Sequence, residues 1–417
     1  MIDTTSWDWQ TPVKDINLDE WKSRFNWTEE YQVSPDGEKI AAIANTGEAG
    51  FTVCENGVRW DETFEKAWCL RFLPDGRLAV LAANDEEWTV YIDGIPWENR
   101  FDYAWGLQWT ADGSHVAVAV QNDMAYGMAV NDTVWETLYE NITGCVLGSS
   151  GDSAAVVQKE PLSQADIEKF SAGVFCAAVN GMASNHLFMN VWDLAFDPAG
   201  DHLAYVVRKN RSAYSPALDG RVWDGAFQCA WQPVFSIDGA LSAPVRKKGK
   251  WYLYRDGAPF WTQPFEQLWQ PVLSPDGGSI AAVVSPGFGK WTVCKDRNTW
   301  NMRVNGMISD LLWSKDTRRL LAVVKHNGAW DIAVDGKPWE LAADKVWTPR
   351  TSRDGRVAAA RMARKGRYFL VANGHVHPME VDMAFDPVIS PDGDKILLRA
   401  ISNGVYTRYI LDADDVV

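Results

Sequence analysis

No run of the 417 residues approaches 18 consecutive apolar positions, so no transmembrane helix is encoded. The six cysteines, at 54, 69, 145, 176, 229 and 294, never form C-x-x-C. That excludes the usual zinc, iron–sulfur and covalent haem signatures. Neither a G-x-S-x-G elbow nor a phosphate-binding glycine loop is present, and the six histidines occupy unrelated positions. His375 and His377 could share one side of a strand, but no acidic or cysteine partner stands near them, so no metal site is expected. Basic charge is in short supply, with 40 Lys+Arg against 55 Asp+Glu and a net charge of −15. Nucleic-acid binders need a dominant basic field, and none is expected here. The amino-terminal stretch from Met1 to Trp9 lacks the basic start and apolar core of a secretory signal, which predicts a cytoplasmic protein with reduced, structural cysteines. A non-enzyme without a cofactor is the expectation.

What is abundant is tryptophan, 23 residues, and a repeat. The tetrad Ser34-Pro35-Asp36-Gly37 is the first of ten variants, ending with Ser390-Pro391-Asp392-Gly393, at steps of 39, 37, 38, 49, 39, 38, 40, 38 and 38 residues. A second marker keeps the same step, from Asn56-Gly57 and Asp93-Gly94 to Asn373-Gly374 and Asp412-Ala413. Asn-Gly and Asp-Gly suit the type I′ hairpin, whose two central residues need positive φ. Short β-rich segments lie between the markers, so each unit reads as four antiparallel strands, the signature of a propeller blade. The predicted fold is all-β: a β-propeller of ten four-stranded blades, with two five-bladed propellers as the alternative. The S-P-D-G tetrads themselves read as turns, because Pro sets φ, Ser and Asp cap, and Gly relaxes the exit.

The aromatic residues fall into three columns. One stands five residues before the Asn/Asp hairpin marker in nine units of ten, as at Phe51, Trp88, Tyr126 and Trp251; a second stands five before the tetrad, as at Trp68, Trp105, Trp192, Trp231, Trp269 and Trp347. A third follows the hairpin, at Trp60, Trp97, Trp135, Trp223, Trp300 and Trp339. Periodic placement predicts that most of them fill the space between blades. After Asp412 too few residues remain for a fourth strand of the tenth blade. Trp21 and Phe25 precede Gly37 by the spacing with which Trp60 and Phe64 precede Gly76, so the segment from about Asp19 to Arg24 is expected to close the ring. Residues 1–17 then form an amino-terminal arm and 18–417 the propeller. A helical insertion is expected at about 158–172 in the fourth blade.

Charge is unevenly distributed, −21 over residues 1–200 and +6 over 201–417. The loops between second and third strands sharpen the split. Asp85-Glu86-Glu87 and Asp123 occupy them early; later come Arg208, Lys209 and Arg211, then Arg246, Lys247, Lys248 and Lys250, then Lys325-His326, then Arg361, Arg364, Lys365 and Arg367. Such polarity steers a partner more than it adds affinity. Leu162, Ile167 and Phe170 are spaced for one side of the insertion helix, and Trp7 and Trp9 lie on the arm. Each set is a candidate partner-binding surface, or packs back on the molecule.

The pattern V-x-S-P-D-G-x-x-I-A-A-V resembles TolB-like and WD-repeat-like propeller units. With its tryptophan content and length, the chain further resembles the TmcD-like tryptophan-rich subunits of the Tmc transmembrane redox complex of sulfate-reducing bacteria. That resemblance implies a non-catalytic, cofactor-free accessory or scaffold subunit in sulfate respiration. It would be cytoplasmic, peripheral to the inner membrane, and docked on an iron–sulfur subunit or a membrane cytochrome b. The alternative is a tryptophan-rich propeller that binds a small ligand or glycan.

Overall fold

The computed structural model describes residues 4–47 and 50–416. Ten four-stranded antiparallel sheets follow one another, so the chain is a ten-bladed β-propeller. Blades 1 to 10 span 27–59, 66–96, 103–134, 142–183, 190–222, 229–265, 267–299, 307–338, 345–376 and 383–412, the last completed by Val13–Asn17. Helix among the described residues is confined to the short segments Asp19–Lys22, Ile167–Ala172 and Ala413–Val416.

Both sequence markers act through hydrogen bonds. In Ser34-Pro35-Asp36-Gly37 the Ser34 hydroxyl donates to Asp36 Oδ1 at 2.5 Å and accepts from Lys39 N–H at 2.9 Å, while Gly37 takes φ +76°. Ser274, Ser352 and Ser390 repeat the arrangement. At the hairpin, Asn56 and Gly57 both have positive φ, and Asn56 Oδ1 accepts the N–H of Ile40, the first residue of the second strand, at 2.8 Å. Asp93, Asn131, Asn180, Asp219, Asp256, Asp296, Asp335 and Asn373 do the same. One side chain thus sets the turn and ties it to the neighbouring strand.

Two compact units divide the chain: Met1–Trp97 with Asn301–Val417, which holds blades 1, 2, 8, 9 and 10, and Glu98–Trp300, which holds blades 3 to 7. In the first unit the second strand of blade 1, Ile40–Gly47, is buried on both faces, with Ile40, Ala42 and Ala44 packed toward blade 10 and Ala41 and Ile43 toward blade 2. In the second unit Ser153–Gln158 of blade 4 packs Ala155 and Val157 toward blade 3 and Ala154 and Val156 toward blade 5. In the first unit Tyr406, Ile401 and Phe385 of blade 10 pack with Trp21, Phe25, Ile40 and Cys54 of the blade 1 side. In the second unit Val206 of blade 5 packs with Phe227, Ala230, Val245 and Tyr254 of the blade 6 side. Blade 5 adjoins blade 6 and blade 10 adjoins blade 1, so two sequential five-bladed rings do not form.

The closing strand is Val13–Asn17, pairing Val13 with Tyr409 through Asn17 with Val405, and not the expected Asp19 to Arg24 segment. Asp19–Lys22 is instead a helical turn. The expected boundary at residue 17 therefore runs through the seam: the arm contributes the strand. Outside blade 6, where Ala258–Phe265 forms four, fourth strands held by a two-residue hairpin form only two pairs, as Cys54 with Arg59 and Glu55 with Val58 do. A strand arriving from the distant end of the chain is free of that limit and forms five. Trp21 does fill the place inferred from its spacing. A β-carbon on Gly57 would meet its indole at 3.4 Å, as one on Gly94 would meet Trp60 at 3.6 Å.

Buried arginines lock the seam. Arg399 donates to the Ser34 carbonyl at 2.8 Å and the Asp386 carbonyl at 2.5 Å, and burial pulls its pKa below the usual guanidinium value. Arg408, 1% exposed, donates to the carbonyls of Asp36 at 3.1 Å, Thr11 at 3.2 Å and Asp8, and pairs with Glu38. Tyr406 donates to the Gly37 carbonyl at 2.7 Å. A β-carbon at Gly37 would lie 3.2 Å from both arginine side chains, so the first tetrad needs its glycine for space as well as for φ.

Candidate functional site

Tryptophan does two jobs. Third-column rings pack between blades, each over the hairpin glycine of the next: Trp60 on Gly94, Trp135 on Gly181, Trp223 on Gly257 and Trp339 on Gly374. The first two columns, expected to fill inter-blade space, pair with each other inside one blade. Trp105 lies opposite Ala119 and Tyr126 opposite Gln121, and residues two apart share a face, so the two rings meet at 6.1 Å across the second strand. Trp68 with Trp88, Trp192 with Tyr214, Trp231 with Trp251, and Trp269 with Trp291 repeat the pairing.

The basic loops divide by wiring. On blade 9, Arg361 pairs with Asp386 at 2.8 Å and lies 4.4 Å from the Trp347 ring, and Arg367 pairs with Glu380 at 2.7 Å and with Asp382. Arg364 lies over Phe369, and the Lys365 backbone N–H donates to Asp344 at 2.6 Å while its side chain is exposed with no carboxylate partner among the described residues. On blade 5, Arg208 turns back to the carbonyls of Asn210 and Arg211 and over Tyr214, and Lys209 donates to the Gly225 carbonyl at 2.8 Å. On blade 6, Lys250 pairs with Glu266. Arg211, Arg246, Lys247 and Lys248 are exposed and have no carboxylate partner among the described residues. On blade 7 the corresponding loop carries Phe288, which is fully exposed.

The insertion is less helical than its spacing predicts. Its helix spans only Ile167–Ala172, started by Asp166 accepting from Lys169 N–H rather than by Pro161. Leu162 lies outside it, half-buried, and Phe170 packs back on Phe175 at 6.4 Å, while Ile167 is 62% exposed. The arm is clasped as well. Trp7 stacks on Trp9 at 6.1 Å, Trp9 donates to the Thr4 carbonyl, and Lys14 pairs with Asp8 at 2.9 Å. Hydrogen bonds, from Thr11 foremost, hold the Asp8 carboxyl far below the usual range. The six thiols are free of disulfides; Cys54, Cys176 and Cys294 are buried as small core residues, and burial raises Cys54, Cys145 and Cys176 to about 11 and Cys294 to about 12.

Sequence reasoning missed a row of bulges. The first strand of most blades breaks register just after its tryptophan column, and the residue there takes positive φ: Glu30, Cys69, Gly106, Gly144, Asp193 and Gln270. In blades 5 to 7 this row borders a cleft of about 420 Å³, lined by Asp193, Trp231, Gln232, Trp269, Gln270 and Pro271 among others. The signal was present as Trp192-Asp193, Trp231-Gln232-Pro233 and Trp269-Gln270-Pro271, polar residues and prolines interrupting an inner strand. Burial pushes the Asp193 carboxyl above the usual range.

No family model matches the chain, and no curated protein matches it significantly. Among solved structures, the crystal structure of the eukaryotic initiation factor is 12% identical, covering 79% of this chain and 95% of its own, with a TM-score of 0.44. The Dos1 propeller is 11% identical over 96% of this chain and 95% of its own, with a TM-score of 0.35. TolB from Acinetobacter baumannii is 14% identical over 65% and 79%, with a TM-score of 0.27. The assignment as a propeller rests on the blades themselves. Among the described residues, no helix is long and apolar enough to cross a membrane.

Proposed function

We propose that this chain is a non-catalytic scaffold that docks on an acidic partner protein through the second-to-third-strand loops of blades 5 to 7. The observation that carries the reading is the set of exposed cations without carboxylate partners, Arg211, Arg246, Lys247 and Lys248, with Phe288 fully exposed on the equivalent loop of the next blade. Cations steer the encounter, and an exposed aromatic supplies the apolar anchor that interfaces favour. The finer reading is an accessory subunit of a membrane-associated electron-transfer complex, its partner an iron–sulfur subunit or a membrane cytochrome b on the cytoplasmic side. The repeat pattern and tryptophan content described from the sequence support it. Co-purification at native expression, read by haem absorbance and iron content, tests it: a chain that elutes alone overturns the scaffold reading. K247E/K248E is expected to weaken capture in a salt-sensitive way without moving the melting temperature. Undiminished capture would remove these loops from the interface. A second reading, ligand binding by tryptophan, is favoured by one observation, the cleft at the bulges of blades 5 to 7.

A further inference from the structure

Acidic side chains recur in the bulge row, and three of the four are already engaged. Glu30 accepts the N–H groups of Cys69 and Leu70 in the next blade at 3.2 and 2.8 Å. Asp310 accepts from the hydroxyls of Ser309 and Thr348, both at 2.7 Å. Asp386 pairs with Arg350 and Arg361. Asp193 is the exception: half-buried at φ +56°, it has neither a hydrogen-bond donor nor a cation within reach among the described residues. The sequence supplies a reason. By the spacing of the tryptophan column, Trp68-Cys69-Leu70 corresponds to Trp231-Gln232-Pro233, and proline has no N–H to offer where Leu70 offers one. Aspartate is also one methylene shorter than the glutamate of blade 1.

This carboxylate borders the cleft with two indoles whose positions are fixed from behind. Trp231 is stacked on Trp251 at 5.4 Å and 6° yet remains 40% exposed, and Trp269 packs against Trp291 at 4.3 Å. Gln232 and Gln270 contribute amides to the same wall. A volume of about 420 Å³ suits a small molecule. An unpaired carboxylate beside aromatic rings selects by charge, because the carboxylate and the ring quadrupole both attract a cation. A neutral sugar would gain stacking and hydrogen bonds but would leave the partly desolvated carboxylate without a counter-charge.

We propose that the cleft formed by Asp193, Trp231 and Trp269 is a binding site for a small organic ammonium ion, primary or methylated, with the ammonium held between the carboxylate and the indole faces and the remainder lying along Gln232 and Gln270. The site is independent of the loop surface proposed for docking. Choline, tetramethylammonium and the neutral choline isostere 3,3-dimethylbutan-1-ol are the probes, titrated into the full-length chain and followed by calorimetry and tryptophan fluorescence. Saturable binding of both cations is expected, with the isostere at least about tenfold weaker, the equivalent of about 1.4 kcal/mol. D193N and W231L should each weaken choline about tenfold or more, whereas W60L, on a ring that packs between blades 1 and 2, should leave the affinity unchanged in whatever fraction folds. Equal binding of the isostere, an unchanged affinity in D193N, or the absence of saturation by either cation up to about 10 mM would overturn the proposal. So would a neutral oligosaccharide that binds where choline does not.

Discussion

Blades 9 and 10 and blades 5 and 6 carry similar numbers of cationic side chains, but more of those on blades 9 and 10 are engaged by carboxylates and carbonyls. Around blade 9 the cations are turned inward: Arg361 to Asp386 and Trp347, Arg367 to Glu380 and Asp382, Arg399 and Arg408 to the first tetrad. On blade 6 the loop Arg246-Lys247-Lys248 meets no carboxylate among the described residues. The two loops, Arg246-Lys247-Lys248-Gly249-Lys250 and Arg364-Lys365-Gly366-Arg367, look interchangeable as text. The difference lies in what stands across from them. Arg367 meets Glu380 and Asp382, Arg361 beside the loop meets Asp386 and Arg364 lies over Phe369, which leaves the Lys365 ammonium without a carboxylate partner among the described residues. In the other loop only Lys250 is answered, by Glu266. Charge in a sequence becomes a docking surface only where the fold leaves it unanswered.

The sharpest way to break the comparison is at the seam. Arg399→Met or Arg408→Met should cost on the order of 3 kcal/mol, since each strips several carbonyls of a charged donor in a buried setting. Chemical denaturation would measure it; a loss below about 0.5 kcal/mol, the level of an ordinary surface substitution, would mean the arginines are passengers. Within blade 9, Arg361→Gln should cost about 1 kcal/mol, combining a partly exposed ion pair with a cation–π contact. Lys247→Gln on blade 6 should cost nothing measurable. Equal losses at the two positions would erase the distinction between wired and free loops.

Much of this was legible in the sequence, and the limits have physical causes. Ten tetrads and nine of the ten hairpin signals mark the blades because each turn residue is demanded by local backbone geometry: Gly37 by its positive φ, Asn56 by its φ and its bond to Ile40. The tenth signal, Asp412-Ala413, instead ends the last strand and opens the helix Ala413–Val416. Trp21 was matched to Trp60 from spacing alone, because a ring packed on a hairpin glycine keeps a fixed offset. The closing strand was misplaced because that offset locates the ring, not the strand, and a strand joining from the far end of the chain has no hairpin to fix its length. Loop wiring was invisible because the partners of Arg361 and Arg367 lie 13 to 25 residues away and are chosen by the fold. Asp193 was invisible as a site because its character depends on a donor that Pro233 fails to supply in the adjacent blade.

The carboxylates extend the comparison to pH, with opposite signs. Asp354 and Asp392 of the tetrads are held below the usual range, chiefly by the hydroxyls of Ser352 and Ser390. Their stabilisation is complete above the unfolded carboxylate value, about 3.9, and is lost as pH falls through their lower folded values. Acid unfolding, followed by circular dichroism, should therefore set in below about pH 4 and shift upward in D354N. Asp193 is raised by burial, so its folded state favours the proton, and its charge costs stability once pH has risen from the unfolded to the folded value. D193N should accordingly melt slightly higher than the unaltered chain at pH 7, and the gap should close as pH falls through the acid range. A lower melting temperature for D193N would show that the carboxylate is already engaged in the empty protein. A higher one, together with lost choline binding, would mark Asp193 as a residue that costs stability and serves a ligand.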